Sequence, residues 1–531
     1  MFYNYNKNEI NEYNECDARG ACSIAPKISS LQEVIMIILK QLSYYILMLN
    51  KTDADTSDTT EKIVESLASL VTTTEYTDEE LLCIVSRQYA LLIKTKRLYL
   101  EICKKNNINC KELKSGINIQ PEMTLADIIT QGEKYFLTKM KNMSIQEKNI
   151  YEILLSVLKS LSVNVMQLQD INQGLNKAEI EIIKGLNLLN GNKFNEKRIR
   201  NKIKDLSKIN DEIVLKIYEA LIAEYGQISQ TVVSHSTREG KAILVSGGSL
   251  NELKMLLEAA KSEKIDIYTH GDLLIAHAFE FFKNFKNLKG HYGKCNEKCI
   301  LDFATFPGAI LLTNNSSQSL EYVYRGRIFT TEKFKPKGVE QITNNNFKPL
   351  IISAKSAKGF AKGQTREDEV ICFNPEELNL KLTNIADKFN SKEIEKLLIL
   401  GISNYTRQQE EYFSTLLKQI PQRTFVLSFS YGKVSDNIFK INIVKSLPMA
   451  YWILSKLFEK IPIKSDRISY FLTKCDSTSI AKMISLKENG AKNVYLSQCS
   501  PNIINPSVLS TLKNLYEIKT TSTPENDAKL L

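Results

Sequence analysis

The runs KAILVSGGSLNELK (241–254), IDIYTHGDLLIAHAF (265–279) and FPGAILLTNN (306–315) decide how this chain is read. Each contains a short apolar run, AILVS (242–246), IDIYT (265–269) or AILLT (309–313), next to glycine, proline or a helical pattern. Such continuous apolar runs suit strands buried on both faces, and alternation with helices predicts parallel α/β layers. Ser249 and Glu252 fit a capping box, in which hydroxyl and carboxylate satisfy backbone N–H groups at a helix start. Gly247 and Gly248 then form the strand-to-helix turn. Such a turn can hold an anion on free N–H groups. Without the full dinucleotide fingerprint, a plain tight turn is the favoured reading.

Working outward, LIIS (350–353) reads as a further strand. A second series follows in LLILGIS (397–403), TFVLSFS (424–430), ISYFLT (468–473) and NVYLS (493–497). Upstream, residues 29–225 read as helices. Ser30 with Glu33, Thr77 with Glu80 and Ser144 with Glu147 fit capping boxes. Further helices are expected over 176–189 after Asn176 and 210–225 after Asn210, with Gly226 closing the last. The fold class is therefore multidomain α + α/β: a helical-bundle domain at 1–225, then Rossmann-like α/β domains at 226–378 and 379–531.

The length of 531 residues favours about three domains. Apolar residues at 43% and charged residues at 24% are globular values that argue against a disordered or fibrous chain. The greasiest stretch, 31–49, carries Gln, Glu and Lys, and reads as a buried amphipathic helix and not a membrane span. The first residues have no apolar signal core, so a cytoplasmic location is expected. Net charge +10 is modest for this length. The Lys-rich stretch 333–366 lacks interleaved aromatics and reads as a solvated face, so neither nucleic acid nor membrane is an expected partner. Ten cysteines without an export signal point to thiols or metal ligands before disulfides. Only Cys372 falls between residues 300 and 474.

The phrases quoted above, with YRGRIFTTEKFKPKGV (324–339) and the opening MFYNYN…CDARGAC, resemble the hybrid-cluster (prismane) family of hydroxylamine-reductase-like iron–sulfur proteins. The resemblance implies a helical domain followed by two Rossmann-like domains. It also implies a hybrid iron–sulfur–oxygen cluster held by one histidine, two glutamates and four cysteines. Carried over position by position, the histidine falls on Gly248 and the first glutamate on Asp272. The first cysteine falls on Ser316, and the sulfur-carrying one on the Ile402-Ser403 pair. The next falls on Tyr431, before Gly432-Lys433. The last belongs near 440–450, where no cysteine stands, and the second glutamate maps to Asp476. The family's N-terminal cluster would sit on Tyr3, Asn6, Cys16 and Cys22.

Iron–sulfur clusters are held by thiolates, and hydroxyl groups protonated at neutral pH are poor replacements. The expectation is therefore a family scaffold without an intact hybrid cluster, binding a small molecule or a partner. The alternative is an active oxidoreductase of the hydroxylamine or nitric oxide reductase type with an altered centre. That centre could be an iron–sulfur cluster bridging two copies through Cys16 and Cys22. It could also be a single metal at His270, Asp272 and Asp476. A redox partner, a homodimer or a heteromer with an intact relative fits either reading. Cys295 and Cys299 in GKCNEKC are spaced for one helix face, but a metal site there needs two more ligands, and His291 is the only obvious neighbour. Structural roles for those cysteines, for His270 and His277, and for the lone thiol Cys475 stand beside these readings.

Overall fold

A computed structural model describes residues 26–72, 78–107, 109–111, 113, 119, 124–141, 143–171, 177–190, 194–293, 299–313, 326–331, 338–401, 407–429, 437–473, 476–497 and 506–531. At 26–29, 72, 78–80, 136–141, 299–300, 407–408 and 506 only the backbone is described. The architecture is a helical N-terminal region followed by parallel-sheet α/β layers. Two compact units emerge. The first comprises Met1–Lys216, Asn404–Gln422 and Ile463–Leu531, and the second Ile217–Ser403 and Arg423–Pro462.

The first unit begins with α1 (Pro26–Leu49), α2 (Ser57–Thr72), α3 (Asp78–Lys105), α4 (Leu125–Lys141), α5 (Ile145–Asp170), α6 (Lys177–Leu188) and α7 (Glu196–Tyr225), the last running past the unit boundary. α1 packs against α2, α3, α4 and α6. Its segment Ser30–Leu49 is long and apolar enough to cross a membrane by composition, yet most of it is buried within the unit, as a core helix is. Leu31, Ile35, Ile38, Leu42 and Ile46 are fully buried, each worth about 1.5–3 kcal/mol relative to exposure. Ser144 caps α5 as expected: its hydroxyl accepts from Glu147 N–H, and Glu147 Oε2 accepts from Ser144 N–H.

Two expected helix starts are corrected. α1 already begins at Pro26, so Ser30 lies inside the helix and is no cap. α7 runs through Asn210, whose buried Oδ1 accepts from Ser160 Oγ and Asn164 Nδ2 of α5. An asparagine that finds tertiary partners has no need of the helix end. Gly226 does close α7, at φ +79° with its N–H on Ile222 O. Thr77 and Asn176 lie outside the described residues.

The same unit holds the parallel strands β12 (Ile468–Leu472), β13 (Asn493–Leu496) and β14 (Lys519–Thr520). Helices Ser477–Glu488 and Pro506–Tyr516 pack against α5. Lys482 Nζ pairs with Asp211 of α7 at 3.2 Å, both largely buried. The final helix, Pro524–Leu530, is pinned by Asp527: its carboxylate accepts from Tyr412 Oη at 2.6 Å, Ser522 N at 2.6 Å and Ser522 Oγ at 2.8 Å.

The second unit contains β1 (Thr231–Val233), β2 (Lys241–Ser246), β3 (Ile265–His270), β4 (Leu288–His291), β5 (Ala309–Leu312), β6 (Ile328–Thr330), β7 (Glu340–Gln341), β8 (Glu369–Ile371), β9 (Lys396–Leu400), β10 (Thr424–Ser428) and β11 (Ile438–Lys440). Six strands form a parallel sheet in the order β4-β3-β2-β5-β6-β7. β11, β10 and β9 form a second parallel set, and β1 pairs antiparallel with β8. Leu244, Tyr268, Phe303, Phe306 and Ile310 pack one core beside β2. Trp452 is stacked between Tyr218, at 4.9 Å, and Phe373, at 5.9 Å between ring centroids.

Seven of the eight expected strands form. LIIS is the exception, lying in helix Lys348–Ser356. Pro349 suits a helix first turn, and Leu350, Ile351 and Ala354 face inward while Ile352 is exposed. A four-residue apolar run does not by itself separate strand from helix.

Two outcomes test this account. Burial and the nearby Glu61 carboxylate raise Glu179 in α6 to about 7 from its ordinary 4.5. The unfolded chain ionises first, so this carboxyl destabilises the fold progressively as pH rises from about 4.5 to 7. Glu179→Gln should raise stability by roughly 1–3 kcal/mol at pH 8 and far less at pH 5, read as the difference between thermal midpoints. Asp527→Ala should cost roughly 2–3 kcal/mol in urea unfolding, because it strands three donors.

Candidate functional site

Parallel register builds the site. Ser246, the last residue of β2, lies opposite His270, the last of β3. Their side chains share a face, and Ser246 Oγ hydrogen-bonds His270 Nδ1 at 2.7 Å. His270 Nε2 faces Asp302 Oδ2 at 3.4 Å, on the short helix Cys299–Thr305. One strand over, Thr269 lies opposite His291 of β4. The Thr269 hydroxyl meets His291 Nδ1 and His277 Nε2, each at 2.9 Å. His277 arrives on the 3-10 turn Gly271–Ala278 that follows β3. His235 completes the group: its ring centroid is 5.4 Å from that of His291, and its Nε2 is 3.2 Å from Glu369 Oε2.

All four histidines of the chain thus converge at the C-terminal ends of β3 and β4 and the segment beside them. In the sequence His270, His277 and His291 stand within recognisable phrases, whereas His235 does not. Aligning the ends of the apolar runs would have paired Ser246 with His270, but His235 lies in a segment without periodicity. Burial holds His291 well below its ordinary pKa, with the neighbouring imidazoles adding to the effect. Burial likewise lowers His277, to about 4.

The glycine turn is filled from within. Gly247 has φ +131°, and a Cβ there would stand 2.4 Å from Thr313 Oγ1. Thr313 N donates to Ser246 O, and Ser249 N faces Thr313 Oγ1 at 3.4 Å. Ser249 caps the following helix, Leu250–Ala259, by accepting from Glu252 N. This is the tight turn of the two readings. Gly248 is exposed beside it.

Asp272 and Asp476, to which the resemblance would assign carboxylate ligands, have ordinary protein partners. Asp272 is largely exposed, with Lys445 Nζ 4.0 Å away. Asp476 caps helix Ser477–Glu488, its Oδ1 accepting from Ser479 N at 2.8 Å. His270 has one ring nitrogen on Ser246 and the other on Asp302, and Asp476 belongs to the other compact unit. Among the described residues, no group of three or more His, Cys, Asp or Glu side chains is arranged to hold a metal ion. Tyr3, Asn6, Cys16, Cys22, Cys295, Ser316, Ile402, Ser403, Tyr431 and Cys475 lie outside the described residues, as does the side chain of Cys299.

The histidine group makes the second unit acid-sensitive. A histidine whose folded pKa is depressed is neutral in the fold, so stability falls as pH drops through its unfolded value near 6.5 toward the folded value. For His277 that window is 6.5 to about 4. Unfolding followed at pH 6.5 and 5 should show a loss of roughly 1–2 kcal/mol from this residue, and His277→Gln should shrink the loss by that amount. An unchanged pH dependence would refute the assignment.

Residues 10–438 match the Prismane/CO dehydrogenase family. A hydroxylamine reductase of Thermodesulfovibrio yellowstonii is 24% identical over 97% of this chain and 97% of its own length. One from Maridesulfovibrio salexigens is 25% identical over the same shares. Among solved structures, alpha subunits of acetyl-CoA synthase/carbon monoxide dehydrogenase with NiZn[Fe4S4] and NiNi[Fe4S4] clusters align at TM-score 0.47 and 11% identity, covering 93% of this chain and 82% of theirs. The family match spans most of the sequence, and this chain belongs to the prismane/CO dehydrogenase family.

Proposed function

We propose that this chain is a hydroxylamine-reductase-like scaffold that has lost the hybrid iron–sulfur–oxygen cluster and, with it, the reaction of its relatives. It binds a small polar ligand or a partner protein in the cytoplasm. The observation that carries this reading is the donor set. Where four thiolates are needed, the sequence offers Ser316, Ser403 and Tyr431, with no cysteine at 440–450. Hard hydroxyl donors do not replace soft thiolates around iron and sulfide. Gly248 has no donor atom, and Asp272 is one methylene shorter than the glutamate it replaces. The helix-cap role of Asp476 and the lysine beside Asp272 support the same reading. The residues present do not fit the cluster.

Oxygen-free purification with iron and acid-labile sulfide analysis tests this. Background iron without matching sulfide is expected. Several irons per chain with matching sulfide and a reducible absorption band would establish the oxidoreductase alternative instead. In that event Cys16→Ser with Cys22→Ser decides where the iron sits: its loss would assign a cluster bridging two copies.

A further inference from the structure

Three side chains at the ends of β2 and β3 stand in line. Ser246 Oγ lies 2.7 Å from His270 Nδ1, and His270 Nε2 lies 3.4 Å from Asp302 Oδ2. A hydroxyl on one imidazole nitrogen and a carboxylate on the other is the arrangement that activates a serine nucleophile. A carboxylate only accepts, so Asp302 selects the tautomer with its proton on Nε2. The Nδ1 lone pair then faces the Ser246 hydroxyl as a base.

The second unit holds this line in place. The His270 ring is 0% exposed, with Phe303 at 5.2 Å and His291 at 6.3 Å between centroids. Gly293, at φ +80°, leaves the carboxylate its position: a Cβ there would stand 2.2 Å from Asp302 Oδ2. Ser246 ends β2 at the C-terminal edge of a parallel sheet, where open α/β sheets take their ligands. It is 3% exposed itself, but Gly247 is partly exposed and Gly248 fully so. Approach past this turn suits a small acyl group. Thr269 is no rival nucleophile, being 0% exposed with its hydroxyl shared by two imidazoles.

We propose that Ser246 is a nucleophile for acyl transfer from small, uncharged esters, with His270 as general base and Asp302 as its positioning residue. Ser246 Oγ bonds to the ester carbonyl carbon, and its proton passes to His270 Nδ1. The carbon–alkoxy bond then breaks, and the leaving alcohol takes that proton. Water repeats the sequence, releasing the carboxylic acid and restoring the Ser246 hydroxyl. Charge on the carbonyl oxygen would develop beside the N-terminus of helix Leu250–Ala259, which favours it. The carboxylate beside His270 disfavours anionic substrates. This activity goes beyond the ligand binding proposed above and needs neither iron nor sulfide.

The test uses the full-length chain and two probes, a fluorophosphonate and p-nitrophenyl acetate. The fluorophosphonate should label Ser246 at about one per chain in the native protein and not in urea, mapped by mass spectrometry. p-Nitrophenyl acetate should release a burst of nitrophenolate that matches the labelled fraction. Ser246→Ala should abolish both signals, and His270→Gln should slow labelling on the order of 100–10,000-fold. Asp302→Asn should lower the labelling rate at saturating probe while the half-saturating concentration stays the same, and Asp302→Glu should recover part of the loss. A carboxylate that merely supports the fold would not show that split. Labelling of the unaltered chain decides the matter even where a variant fails to fold. A native chain whose Ser246 stays unlabelled, labelling equally fast in urea, or ester hydrolysis undiminished in Ser246→Ala would overturn the proposal.

Discussion

The second unit depends on the register of three parallel strands. β2, β3 and β4 are offset so that Ser246 meets His270 and Thr269 meets His291 at their C-terminal ends. A slip of one residue would turn these polar side chains to the other face of the sheet and leave them without partners. Buried apolar runs hold the register, and the polar pairs are satisfied only in it. Core and site therefore constrain one another, since a buried imidazole without hydrogen bonds is costly.

The same logic explains what holds the family architecture together. Parallel strands covered on both faces draw their stability from burial of residues such as Leu244, Tyr268 and Ile310. Asp476 serves as a helix cap, its carboxylate accepting from Ser479 N.

Much of the architecture was legible because apolar runs report burial directly. AILVS, IDIYT and AILLT became β2, β3 and β5, and Ser144 and Ser249 capped the helices assigned to them. Failures arose where local patterns have two solutions. LIIS is too short to show a period, and Pro349 carried the helical signal. Asn210 has the chemistry of a cap but found Ser160 and Asn164 on a neighbouring helix, a contact 46–50 residues away in sequence. The convergence of four histidines was hidden for the same reason. It follows from strand adjacency and register, which no local window contains.

The aromatic stack in the second unit has a practical corollary. The chain has a single tryptophan, and it lies between Tyr218 and Phe373. Its emission is an intrinsic, label-free reporter on that one locality. Melting of α1–α6 would leave no direct indole signal, whereas loss of α7 would remove the Tyr218 contact, so fluorescence and far-ultraviolet dichroism together can resolve whether the two compact units lose structure in one step or in sequence.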